Sequence, residues 1–203
     1  MRVLNHAWMR QPTWTVAMFP FKHIHILGAA GAGTTTLGAN LAAAIGGAHL
    51  DTDDHYWLPT WPPYREKRPP AERLERLRAE FARTERWVLS GSLLYWGVEL
   101  AAEFNLVVLL FVPPAERQAR VLARERQRYG NRIEPGGELY DAHRQFMAWA
   151  ATYDTATGPG RNLVSHRAWL ADLTCPVLEI AGTQGPAETL RHVLAFRGWS
   201  TAG

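Results

Sequence analysis

Hydrophobic positions along the chain follow two alternating rhythms. Short apolar runs at residues 24–27, 48–50, 87–90, 106–112 and 177–180 read as buried strands. Between them, apolar residues recur at helical spacing. Leu37, Leu41 and Ile45 lie four apart in a helix predicted over 34–45. A helix over 71–86 opens after Pro69-Pro70 and sets Leu74, Leu77 and Phe81 on one stripe, and one over 114–129 carries Val121 and Leu122 on its apolar side. Helices over 138–151 and 163–173 precede the last strand, and a helix over 186–196 follows it. Strands that alternate with helices predict an α/β fold, a parallel sheet covered on both faces.

The 203 residues, 47% hydrophobic and 20% charged, fit one domain over 21–203. The net charge of +3 comes from 22 basic and 19 acidic residues with no block of like charge, so no nucleic-acid partner is expected. Only Lys22 and Lys67 are lysines. The single Cys175 excludes an internal disulfide and a multi-cysteine metal site. No run approaches the ~20 apolar residues of a membrane span, and the N-terminal stretch is broken where a signal peptide would be apolar, so a cytoplasmic protein with no membrane partner is expected. Residues 1–20 read as a leader outside the fold, whose Trp8, Trp14 and Phe19 dock on something.

After the first strand come Gly28, Ala29, Ala30, Gly31, Ala32, Gly33, Thr34, Thr35 and Thr36, opening a helix. Glycine and alanine let a backbone wrap closely round a phosphate, with amides and the positive end of the helix turned inward. The spacing matches the phosphate-binding pattern G-x-x-x-x-G-K-[ST] except that Thr34 stands where the lysine belongs. Thr35 keeps the hydroxyl position that ligates Mg²⁺. The dinucleotide pattern G-x-G-x-x-G fails at Thr36. The alternative is a tight strand-to-helix connection with no ligand.

GAAGAGTTTLG, together with DTDDHYW, KRPP and WVLSGS, resembles a bacterial group of lysine-less adenylate-kinase-like proteins. More broadly, residues 22–196 resemble the small-molecule kinase branch of P-loop proteins, which includes shikimate, gluconate and adenylate kinases. The resemblance implies a five-stranded parallel sheet in order 2-3-1-4-5, use of ATP and Mg²⁺, and a lid over about 124–140 with a helical insertion over about 138–173. It does not name the acceptor.

Asp51, Asp53 and Asp54 follow the second strand at the carboxyl edge of the sheet, where three carboxylates repel one another unless a cation or proton intervenes. The resemblance to shikimate and gluconate kinases maps Mg²⁺ holding and hydroxyl orientation onto Asp51 and Asp53. Asp53 is then the expected general base, Asp51 the carboxylate on metal-bound water, and Asp54 a helix cap. An acidic cap cluster with no catalytic role is the plainer alternative. Ser90-Gly91-Ser92 stands where a Walker B aspartate is usual, with Ser90 or Ser92 bridging through water and Gly91 letting the acceptor approach.

His55, Tyr56, Trp57, Trp61, Tyr64, Tyr95 and Trp96 cluster in two loops and predict either a stacked small-molecule acceptor or a patch that glues down the loop 59–70. Six arginines against two glutamates over 116–132 supply the lid cations that the resemblance implies, with Arg124 and Arg128 as first choices and Arg161 as a weaker one. Gly136-Gly137 reads as a hinge or lid tip. Lys67, beside Arg68, is the expected stand-in for the missing lysine. His23 and His25 read as strand packing rather than metal ligands, and Trp149, Tyr153 and Trp169 as core of the inserted helices.

Two functions are compatible with these residues. One is ATP- and Mg²⁺-dependent phosphoryl transfer to a small nucleoside, nucleotide or sugar-like acceptor. The other is nucleotide binding by a regulatory protein without transfer. A binder alone has no use for acidic groups and lid arginines that converge on one place.

Overall fold

The computed structural model describes residues 19–198. The sheet holds β1 (His23–Gly28), β2 (Ala48–Asp51), β3 (Trp87–Ser90), β4 (Leu106–Phe111) and β5 (Val177–Ala181) in the order β2-β3-β1-β4-β5, with every pairing parallel. The α-helices are α1 (Thr34–Ile45), α2 (Thr52–Tyr56), α3 (Pro70–Phe81), α4 (Pro114–Tyr129), α5 (Tyr140–Ala151), α6 (Leu163–Ala171) and α7 (Pro186–Ala195).

Alternation along the strands divides the core into two. Ile24 and Ile26 of β1 with Leu106, Val108 and Leu110 of β4 meet Leu37 and Leu41 of α1 and Val193 of α7 on one face. On the other, Leu27, Val107 and Leu109 meet Leu77 of α3, Phe104 and Leu170 of α6. Phe19, assigned by sequence to the leader, is only 3% exposed and packs edge-on against Phe21 in the first of these clusters. The expectation for the leader's remaining residues, with Trp8 and Trp14, lies outside the described residues. Among those described, no helix is long and apolar enough to cross a membrane.

Helices α3, α5 and α6 are shorter than their periodicity predicts, α6 ending at Ala171. Helix α3 stops at Phe81 because the Thr84 side chain bonds the backbone of Arg86, offering the chain a turn in place of another helical hydrogen bond. Helix α5 begins at Tyr140, since Leu139 N–H donates to the Arg132 carbonyl at 2.9 Å and closes the preceding segment into a turn.

The second core encloses two imidazoles. His25 Nδ1–H donates to the Leu89 carbonyl at 3.1 Å, its ring stacks on Phe104, and its Nε2 has no partner. Both nitrogens of His166 are engaged, by the hydroxyls of Tyr153 at 2.7 Å and Ser92 at 3.0 Å. Burial pushes His25 down to about 4 and His166 down to about 3. Both rings are therefore neutral in the folded protein through a range in which an unfolded histidine takes up a proton. Stability should fall as pH drops below about 6.5, by up to ~1.4 kcal/mol per pH unit for each histidine, until the folded values are reached. Denaturant unfolding at pH 7, 6 and 5 measures the slope, and His166→Gln should reduce it by about one histidine's share.

Candidate active site

Parallel pairing brings the carboxyl ends of all five strands to one edge. Asp51 stands beside Ser90 and Ser90 beside Ile26, so the second and third strands deliver their last residues next to the loop that leaves β1 at Gly28. That loop turns through Gly31 at φ 80° and Gly33 at φ 97°, where a side chain would be strained. Gly28 is required for contact: a Cβ there would lie 2.5 Å from the Leu110 carbonyl oxygen. Helix α1 begins at Thr34 with no side-chain cap and no acidic residue in its first turn, so its free amides and positive end are open to an anion.

The metal-site expectation centred on Thr35 and Asp51 finds these two in contact. Thr35 Oγ1 donates to Asp51 Oδ2 at 2.9 Å, and Ser90 Oγ donates to the same oxygen at 3.1 Å. Asp51 Oδ1 accepts from the Asp53 amide at 3.0 Å and caps α2. The cap is thus Asp51 and not Asp54. His49 Nε2 donates to Ser90 Oγ at 3.0 Å, completing a chain from His49 through Ser90 to Asp51 that the sequence reading missed. The available signal was alternation along β2, which sets His49 and Asp51 on one face. Desolvation lowers His49, against the opposing charges of Asp51 and Asp54.

Asp53 faces a cleft on the first turn of α2. Desolvation there, and secondarily the Asp51 charge, raises its carboxyl above the usual range, while Arg161 pulls the other way. Gly91 has φ 114°, and a Cβ on it would fall 1.8 Å from Thr52 Oγ1. Its bareness therefore makes room for α2, and Gly91 also lines the first of the clefts at this edge. Ser92 is tied to His166 and does not join Asp51.

Two clefts meet at this edge. The first, about 680 Å³, is lined by residues 29–37 and runs past Leu110 and Arg120 to Gly182 and Gln184. Arg120 bridges its two ends, donating to the Ala32 carbonyl at 3.4 Å and the Gly182 carbonyl at 3.0 Å. The second, about 770 Å³, is bounded by Trp57, Tyr64, Tyr129, Ile133 and Leu139. Thr35, Asp51, Asp53, Arg124, Arg128, Phe146, Trp149 and Arg161 line both. The two preferred lid arginines thus share a wall with the acidic pair.

Other candidates are placed differently. Lys67 lines neither cleft; it pairs with Trp57 in an isolated bridge and lies 5.8 Å from the Tyr56 ring. Its neighbour Arg68 is buried and donates to the His55 and Trp57 carbonyls and to Glu72, which makes it a structural clamp. Of the seven loop aromatics only Trp57 and Tyr64 line the second cleft; Tyr56 instead stacks under Arg73 and against Trp96. Trp149, expected in a core, is 43% exposed on the shared wall. Arg117 is core: it donates to the Val112 carbonyl at 2.9 Å and pairs with Asp154. Gly136-Gly137 forms a closed turn, where a Cβ on Gly137 would strike the Arg132 carbonyl at 2.3 Å.

Arg161, the weaker candidate, reaches the foot of the phosphate loop. Its Nη2 donates to the Gly28 carbonyl at 2.7 Å, its guanidinium lies 5.9 Å from the Trp149 ring, and its buried Nε has no partner. Burial lowers its pKa, opposed by Asp53, Tyr153 and Asp51. The turn that carries it is held by Asn162, which caps α6 by accepting from Ser165 N–H at 2.8 Å and donates to the Gly158 carbonyl at 2.8 Å.

The strand order and the glycine-rich loop that opens α1 are those of a P-loop fold. No family model matches the chain. A Bacillus subtilis protein, "Uncharacterized protein YqaC", is 42% identical over 175 residues, which span 86% of this chain and 97% of that one. The chain belongs to the YqaC family. Similar solved structures include a sugar kinase from a Janibacter species at 14% identity, covering 86% of this chain and 93% of that one with a TM-score of 0.47. A shikimate kinase from Bacteroides thetaiotaomicron is 18% identical, with coverages of 86% and 94% and a TM-score of 0.46. A gluconokinase from Sinorhizobium meliloti is 17% identical, with coverages of 87% and 91% and a TM-score of 0.46.

Proposed function

We propose that this protein transfers a phosphoryl group from ATP, with Mg²⁺, to a hydroxyl or phosphate group of a small acceptor such as a nucleoside, a nucleotide or a sugar-like compound. The observation that carries this reading is the wall common to the two clefts. A nucleotide in the first cleft and an acceptor in the second would meet at Thr35, Asp51, Asp53, Arg124 and Arg128. A protein that only binds a nucleotide needs neither the second cleft nor a carboxylate on the shared wall.

The residues fit both groups. Backbone amides of the loop and the uncapped first turn of α1 suit phosphate oxygens. The Thr35 hydroxyl and the Asp51 carboxylate, in contact with each other, suit a Mg²⁺ that keeps water and phosphate as its other ligands. Bound there, the ion neutralises charge on the phosphates.

Asp53 accepts the proton of the acceptor hydroxyl, and its raised pKa brings its basicity closer to what that proton requires. Arg124 and Arg128 pair with phosphoryl oxygens through planar forks. Trp57 and Tyr64 give the acceptor an apolar wall.

The experiment is calorimetry with ATP and Mg²⁺, followed by a panel of nucleosides, nucleotides and sugar acids assayed for ADP release. ATP is expected to bind, and at least one acceptor to stimulate ADP release. Absence of binding at millimolar ATP overturns the reading. ATP binding with no acceptor among many would leave the regulatory binder as the better account.

A further inference from the structure

With Thr34 in the lysine position, helix α1 brings no charge to the phosphate loop. We propose that Arg161 supplies it: the loop's cation is carried by the turn before α6 instead of by the loop itself. This inference rests on the nucleotide-binding part of the function proposed above.

Three observations support the assignment. The first is position. Arg161 crosses from a distant part of the chain to the first residue of the loop, donating to the Gly28 carbonyl at 2.7 Å, and lines the same cleft as Thr34 and Thr35. The second is unspent capacity. The guanidinium has five N–H donors; Arg161 uses one on Gly28, and its Nε–H is buried with no partner. Such a donor is costly unless something arrives to accept from it. The third is the state of the other cations. Arg117 is committed to Val112, Ala150 and Asp154, and Arg120 to Glu116, Ala32 and Gly182. Arg124 bonds Glu125 at 3.3 Å and Arg128 bonds the Tyr64 hydroxyl at 3.3 Å, both partners belonging to the second cleft. Among the described residues, Arg161 alone of these five has no carboxylate or side-chain acceptor within hydrogen-bonding distance.

The surroundings suit a charge that waits for an anion. Asp51 and Asp53 lie near enough to favour the charged guanidinium, yet neither forms an ion pair with it. The capped turn at Asn162 fixes the backbone that carries Arg161, and the bond to Gly28 fixes its tip before any ligand arrives, so ordering it costs little on binding.

The test is ATP affinity, measured by calorimetry with Mg²⁺ on the full chain. Arg161→Gln removes the charge and keeps an N–H donor on a shorter side chain. Its ATP affinity should fall roughly ten- to hundredfold, as expected for a lost hydrogen bond to a charged group. Thr34→Lys added to Arg161→Gln should restore most of the loss. Thr34→Lys alone, beside an Arg161 already in place, should gain less affinity than the same change gains in the Arg161→Gln background.

Arg161→Gln binding ATP as tightly as the wild type overturns the assignment. So does a loss that Thr34→Lys fails to reverse, because Arg161 is then a strut. If Arg161→Gln does not fold, the single Thr34→Lys variant decides: a tenfold or greater gain in affinity would mean that the lysine position lacked a cation, and the proposal fails. A wild-type protein that binds no ATP removes the proposed function and this inference together, an outcome distinct from the others.

Discussion

Asp53→Asn should lower phosphoryl transfer by about 10²–10⁴-fold, the usual worth of a positioned general base, while leaving nucleotide affinity unchanged or tighter. Asparagine keeps the shape of the side chain. The helix should also survive the change, since Asp53 contributes its backbone amide to the cap on Asp51. What disappears is the proton acceptor, together with a negative charge beside Asp51 and near the incoming phosphates. The pH profile gives an independent reading: if Asp53 must be ionised to accept the proton, Asp53→Asn should remove the acid limb of the wild-type rate. Steady-state rates between pH 4 and 8, with calorimetry on the same samples, check both parts. A variant with near wild-type turnover would remove Asp53 from the chemistry and leave Asp51 as the remaining candidate.

Gly91→Ala should destabilise the protein by on the order of 4 kcal/mol, from backbone strain at positive φ and from overpacking. The new methyl would occupy space held by the Thr52 hydroxyl, 1.8 Å from the ideal Cβ position, and φ there is 114°. Because Thr52 opens α2, relief of the clash must shift Asp53 as well. The double variant Gly91→Ala with Thr52→Ala should recover most of the steric part, leaving the Cβ contact at 2.9 Å, but not the conformational part, and urea unfolding of the four proteins in the cycle separates the two. A fully tolerated Gly91→Ala would mean that α2 is not seated against β3 as described.

The framework was legible because both of its signals are local. Alternating apolar runs and helical spacing located every strand and long helix to within a few residues, and glycine and alanine at fixed spacing located the phosphate loop. Asp51 and Asp53 were found the same way, from their place after the second strand.

What was missed depends on distant partners. Arg117 and Arg124 share a helix and look alike in sequence, but only Arg117 finds Asp154 and the Val112 carbonyl and is buried. Lys67 was chosen because its loop is stiffened by proline, whereas Arg161 reaches Gly28 from 133 residues away. The one local hint was Asn162, a good helix cap after a glycine-rich turn, which marks where α6 starts and so where its preceding side chain is held. Trp149 resembles a core residue in composition and becomes a cleft wall only through the packing of α5.

Both clefts are lined by arginine, and no lysine is among the residues that bound them. A P-loop lysine is a nucleophile as well as a charge. Amine-directed reagents can label it, acetylation can silence it, and alkali can neutralise it. Guanidinium groups resist deprotonation and leave no amine at this site to modify. The positive field around the phosphates should therefore be insensitive to acetylation. Activity should also persist into alkaline solution until some group other than the cleft cations fails. Nucleotide probes that capture kinases by acylating the P-loop lysine should pass this protein by, even with the nucleotide seated.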